Sequence, residues 1–117
     1  MISAFLIGIV AAIHLYIVYL EMFQWDKPAG RKVFGTTQEF ASASKVLAAN
    51  QGLYNGFLAA GLIFGLFLAA QGGVFTVFFL CCVIVAGIFG AATVNRKILF
   101  VQAVPAAVAL VAVLAGY

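Results

Sequence analysis

Two ionisable side chains lie inside an otherwise apolar stretch at the start of the chain, His14 and Glu21. They are seven residues apart, so on a helix they differ by only about 20° around the axis and by about 10 Å along it. An imidazole that titrates near neutrality suits proton transfer. A carboxylate on the same face suits an electrostatic partner or a cation acceptor. Trp25 continues the stripe and adds an aromatic face. A second polar group, Asn50, Gln51, Tyr54 and Asn55, spreads over about 140° of a later helix, and Gln102 stands in the last apolar segment. These are hydrogen-bonding residues that orient a ligand. His14 and Glu21 are the candidate acid/base pair, and Trp25, Asn50, Gln51, Tyr54, Asn55 and Gln102 the candidate ligand contacts.

The elements that must position them are apolar helices. Of 117 residues, 67% are hydrophobic and 8% charged, more apolar surface than a soluble domain of this size can cover. Four spans are expected, at about 2–22, 46–70, 74–93 and 98–116, in a single membrane domain. The opening residues lack the basic region of a secretory signal, so the first segment is read as a retained span. Gln24-Trp25-Asp26-Lys27-Pro28-Ala29-Gly30 reads as a turn. Thr36 with Glu39 is expected to cap a helix that starts near Thr37 and continues into the second span. Pro105 should kink the fourth span or free a carbonyl near Val101.

Charge placement orients these spans. Lys27, Arg31, Lys32 and Lys45 fall in the first connection and Arg96 and Lys97 in the third, while the second, around Gln71-Gly72-Gly73, has none. Short basic loops stay cytoplasmic, which gives an all-α, four-transmembrane-helix bundle with both termini outside. The polar groups then share the cytoplasmic half, as a pocket that opens toward the cytoplasm or inner leaflet. The net charge of +3 is explained by topology and gives no ground for a nucleic-acid partner.

Gly52, Gly56 and Ala60, and Gly61 and Gly65, recur at intervals of four, and Gly87, Gly90 and Ala91 cluster in the third span. Small residues at this spacing let membrane helices approach closely, within the chain or at a subunit interface. Cys81 and Cys82 are adjacent on one helix, about 100° apart, and are read as packing residues. One His, one Glu and two such Cys do not make a metal site, and any cofactor stays unidentified. No phosphate loop, Ser-His-Asp set or Cys-x-x-Cys occurs.

The stripe His14, Glu21, Trp25, the block Asn50-Gln51-Gly52-Leu53-Tyr54-Asn55-Gly56-Phe57-Leu58-Ala59-Ala60-Gly61, the run Gly87–Thr93, and Gln102 with Pro105 resemble a group of small bacterial membrane proteins known as domain of unknown function 1304. The resemblance implies a four-helix inner-membrane protein and no activity. More locally, Arg31-Lys32-Val33-Phe34-Gly35 with Glu39 looks like the cytosolic loop of the MAPEG family, trimeric membrane proteins of eicosanoid and glutathione metabolism. That family's acidic residue in the second span stands here as Tyr54 or Asn55, and its later arginine is missing.

Three functions are compatible with these residues: binding or conversion of a small lipophilic or amphipathic molecule, proton-coupled export by an oligomer with Glu21 exchanging a proton for a cation, and a structural or accessory subunit. The expected partners are the lipid bilayer, a small amphipathic ligand and further copies of the chain, as a trimer or dimer. The orientation makes a direct prediction. Cysteines placed at Lys32 and Arg96, in a chain lacking Cys81 and Cys82, should react with an impermeant thiol reagent only from the cytoplasmic face; reaction from the outer face would overturn it.

Overall fold

The computed structural model describes residues 1–68 and 73–117. All regular structure among them is helical: α1 (Ile2–Phe23), α2 (Pro28–Phe34), α3 (Gln38–Phe67), α4 (Gly73–Thr93), a π-helical turn (Leu99–Ala103) and α5 (Val104–Leu114). The expected second connection lies at Gln71 and Gly72, outside the described residues.

Helices α1 and α4 are long and apolar enough to cross a membrane, by length and composition. At about 1.5 Å per residue each extends just over 30 Å, the thickness of a hydrocarbon core. Their outward side chains are also apolar, among them Phe5, Leu15, Phe78 and Phe89.

Two local expectations need correction. The Gln24–Gly30 turn is shorter than its composition suggests, because Pro28 begins α2. Proline in the first turn of a helix has no amide to waste and a φ already suited to it. Gly35, at φ 65°, closes α2 in the left-handed conformation that glycine adopts without steric cost. The cap of α3 is Thr37, not Thr36: the Thr37 hydroxyl accepts from the Phe40 amide at 3.1 Å. The Thr36 amide is already engaged with the Arg31 carbonyl, so Glu39 has nothing to return a bond to. Near Pro105, where a kink or a free carbonyl near Val101 is expected, the helix changes its winding. The Val104 amide reaches back five residues to the Leu99 carbonyl, and the helix widens into a π-turn before α5.

The chain divides into two compact units, one of Met1–Ile13 with Leu58–Tyr117, the other of His14–Phe57. In the first, Ile7, Val10 and Ala11 from α1, Leu62 from α3, Leu80 and Val83 from α4, and Ala106 and Ala109 from α5 form one buried apolar cluster. Its helices meet at small residues. Gly87 of α4 lies so near the π-turn that a Cβ there would sit 2.7 Å from the Ala103 amide nitrogen, and Gly61 of α3 faces the ring of Phe79.

In the second unit, α1 and α3 run antiparallel. Gly52 abuts Glu21 and Met22, and Gly56 faces Val18, so α3 advances as α1 recedes. Ala60 does not continue this contact and is exposed. An interval of four drifts about 40° per step around a helix, which carries the third member off the face.

Gly87→Val should cost about 1–3 kcal/mol, because both sides of that contact are backbone and neither can yield as a side chain would. Thermal unfolding of the detergent-extracted protein would show it; an unchanged midpoint would refute the packing.

Candidate functional site

The His14–Phe57 unit collects most of the polar side chains. Glu21 is 2% exposed, on the face of α1 that meets α3. Both of its carboxylate oxygens accept hydrogen bonds from α3: Gln51 Nε2 donates to Oε2 at 2.8 Å, and Asn55 Nδ2 donates to Oε1 at 2.6 Å. Gln51 and Asn55 are four residues apart, the spacing that places two side chains on one helical face. Asn55 is buried, whereas Gln51 stays exposed as a residue, so the cluster has one wet side.

The approach of the two helices makes this possible. A Cβ on Gly52 would lie 2.6 Å from Met22 Cγ and 3.1 Å from Glu21 Cβ. Asn and Gln side chains are short, and they reach Glu21 only because glycine leaves no bulk between the backbones.

Trp25 lies one turn beyond Glu21 and serves the connection. Its indole Nε1 donates to Ser44 Oγ at 3.0 Å, and its ring packs on Phe34 at 4.8 Å between centroids. Ser44 in turn donates to the Phe40 carbonyl at 2.7 Å. Gly30 packs against the Gln24 backbone, in a space a methyl group would not fit. Lys45 Nζ lies 3.2 Å from Asp26 Oδ2. The hydrogen bond from this ammonium holds the Asp26 carboxyl below its ordinary value. Its contribution is therefore present above the usual carboxylate range and fades as pH falls through the lowered value. The turn before α2 is thus tied to α3 by a hydrogen bond and an ion pair, and α2 meets that turn through the tilted contact of Phe34 with Trp25.

The remaining candidates do not join Glu21. Asn50 donates back to the Val46 carbonyl of its own helix at 3.0 Å and is exposed. Tyr54 is 61% exposed, with its ring near Phe57. These two also form an i, i+4 pair, about 100° around α3 from Gln51 and Asn55, so the broad polar patch is two stripes of which one faces α1. His14 has no exposed surface and lies two turns from Glu21. Gln102 is half-buried within the π-turn of the other unit. Sequence reasoning did not find Ser44. The only signal was its place seven residues before Gln51, on the same face of α3. Among the described residues no group of three or more His, Cys, Asp or Glu could hold a metal ion.

The cluster offers hydrogen-bond acceptance and negative charge. Glu21 supplies the charge when ionised, and the amides that clamp it retain carbonyl oxygens as further acceptors. A donor-rich or cationic head group matches that chemistry.

Comparison with known proteins finds a family model described as protein of unknown function (DUF1304), matching residues 8–114. An uncharacterized protein, YpaA of Lactococcus lactis subsp. lactis (strain IL1403), is 33% identical over 105 residues, 88% of each chain. No solved structure matches. Neither match carries the MAPEG likeness of the first connection.

Asn55→Ala should lower stability by about 1–3 kcal/mol, because it leaves a buried carboxylate oxygen without its donor. Asn55→Asp should cost more, since it sets a second carboxylate against Glu21. Equilibrium unfolding in mixed micelles would rank the two, and equal stability of all three proteins would show that the clamp contributes nothing.

Proposed function

The chain belongs to the family described as protein of unknown function (DUF1304), and we propose that it is a four-span bacterial inner-membrane protein that binds a small amphipathic molecule with a cationic head at Glu21. The single observation that carries the reading is the buried Glu21 carboxylate, clamped on both oxygens by Gln51 and Asn55 with no cation of the described residues beside it.

Several features support the membrane part. Two helices have the length and composition of spans. Helix α3 is 30 residues long, and the helical run at 97–114 is apolar. The basic residues cluster at the α1–α3 and α4–α5 connections, as the positive-inside rule requires for cytoplasmic loops. In that orientation Glu21 lies close to the cytoplasmic edge, and the exposed side of Gln51 is where a ligand would enter. The apolar body of the ligand would lie along the outer faces of α1 and α3, and its head would reach the carboxylate.

Binding is preferred to catalysis on geometry. About 10 Å of helix rise separates His14 from Glu21, too far for direct proton transfer between them. Trp25 is committed to Ser44 and Phe34, which makes it a fixed strut rather than a ligand platform. Proton-coupled export is the second reading, favoured by the same buried carboxylate, because a membrane carboxylate that trades a proton for a cation is how such exporters couple. Binding of one molecule at Glu21 is common to both, and stoichiometry together with transport separates them.

Native mass spectrometry of protein extracted in mild detergent tests the reading. Wild-type protein should retain a small amine-bearing mass, and Glu21→Gln should lose it while keeping the same oligomeric state. Identical spectra for the two proteins would reduce the cluster to helix–helix adhesion and reject a binding site at Glu21.

A further inference from the structure

We infer that α2 is an interfacial anchor whose Arg31 and Lys32 hold the phosphate head group of an acidic phospholipid in the cytoplasmic leaflet. The inference rests on the four-span reading above but not on a ligand at Glu21.

Residues 27–36 contain three cations, Lys27, Arg31 and Lys32, and no acid. The nearest acids are Asp26, which is paired with Lys45, and Glu39 on the first turn of α3. The segment therefore presents a net positive surface, complementary to a leaflet with anionic lipid. It also carries apolar side chains that the protein does not cover. Val33 is 55% exposed and Phe34 39%. A short helix with basic and exposed apolar side chains side by side, at the end of an apolar helix, suits the boundary between head groups and acyl chains.

A second observation is independent of charge and hydropathy. Arg31 Nε and Thr36 Oγ1 are enclosed by the protein yet bond to nothing in it. They belong to one turn, since the Thr36 amide donates to the Arg31 carbonyl at 3.1 Å. Enclosed hydrogen-bonding groups are usually satisfied, and a guanidinium suits a phosphate oxygen. Gly35, in its left-handed conformation, ends α2 between the two.

Rigidity completes the case. Trp25 bonded to Ser44 and Lys45 paired with Asp26 tie the turn before α2 to α3, and the tilted contact of Phe34 with the Trp25 ring ties α2 to that turn. A pre-positioned basic surface binds without first having to be ordered.

The test is a lipid titration of the full chain in neutral detergent, followed by native mass spectrometry. Phosphatidylglycerol, phosphatidylcholine and inorganic phosphate are compared on wild type, Lys32→Gln, and the double variant Arg31→Gln/Lys32→Gln. Wild type should bind phosphatidylglycerol in preference to phosphatidylcholine, and phosphate should not displace it. At roughly 1 kcal/mol for each basic residue near an anionic surface, the double variant should bind about 30-fold more weakly, and the exposed Lys32→Gln alone about 5-fold. Lys32→Gln keeps the proposal testable should the double variant not fold. Equal affinity for the two lipids, displacement by phosphate, or unchanged affinity in Lys32→Gln would overturn the proposal. The small-molecule mass at Glu21 is read in the same spectra, so loss of one result leaves the other visible. Release of the chain from membranes by alkaline carbonate would defeat the four-span reading itself.

Discussion

Glu21 places a carboxylate where water does not reach, and removing an uncompensated carboxylate from water costs several kcal/mol. The amides of Gln51 and Asn55 offset that cost, one on each oxygen. They can do so only because Gly52 lets α3 come within a side chain's width of Glu21 and Met22. Once that contact is made, the register of α3 against α1 is set, since sliding either helix by one residue turns the donors about 100° away. Trp25 then meets Ser44, Asp26 meets Lys45, and α2 has one place to lie. The arrangement of the His14–Phe57 unit follows from one charged group that has to be satisfied.

The other unit shows a different solution. Its interior is apolar, from Ile7 through Leu80 to Ala109, and its close approaches are glycine against backbone or ring, as at Gly87 with Ala103 and Gly61 with Phe79. Where apolar helices associate without a hydrophobic drive, dispersion at close range and interhelical hydrogen bonds hold them together. One unit relies on the first device and the other on the second. Only the second leaves a polar group with chemistry to offer.

Much of this was legible in the residues. The apolar lengths place α1 and α4 within a residue or so of their observed limits, and the start of α3 near Thr37 follows from local capping chemistry. The family resemblance carried by the Asn50–Gly61 block matches the family model. What the sequence hides is pairing. Asn50, Gln51, Tyr54 and Asn55 are alike as polar residues, and only the position of α1 separates the pair that meets Glu21 from the pair that does not. Ser44 is invisible for the same reason, since its partner lies 19 residues away across a turn. Helix α2 escapes notice because seven residues are too few to show a period, and its start depends on reading Pro28 as an initiator instead of a breaker.

The identity of the group at position 21 argues for more than adhesion. Two amide donors can be satisfied by a neutral acceptor as well as by a charged one. A glutamine there would span the same distance, offer an oxygen to one amide and its own amide to the carbonyl of the other, and avoid most of the desolvation cost. Replacing buried charges with neutral groups of similar size is often neutral or stabilising. If the sole task were to hold α1 to α3, the carboxylate would be the more expensive choice. Among the described residues no ion pair involves Glu21, so intramolecular charge compensation does not explain it. What a carboxylate does that an amide cannot is carry a negative charge and exchange a proton. A cationic partner from outside the protein uses the first property, and coupled export uses both. A group able to carry charge in that place, where an amide would suffice for adhesion, is the strongest physical reason to regard the cluster as a site.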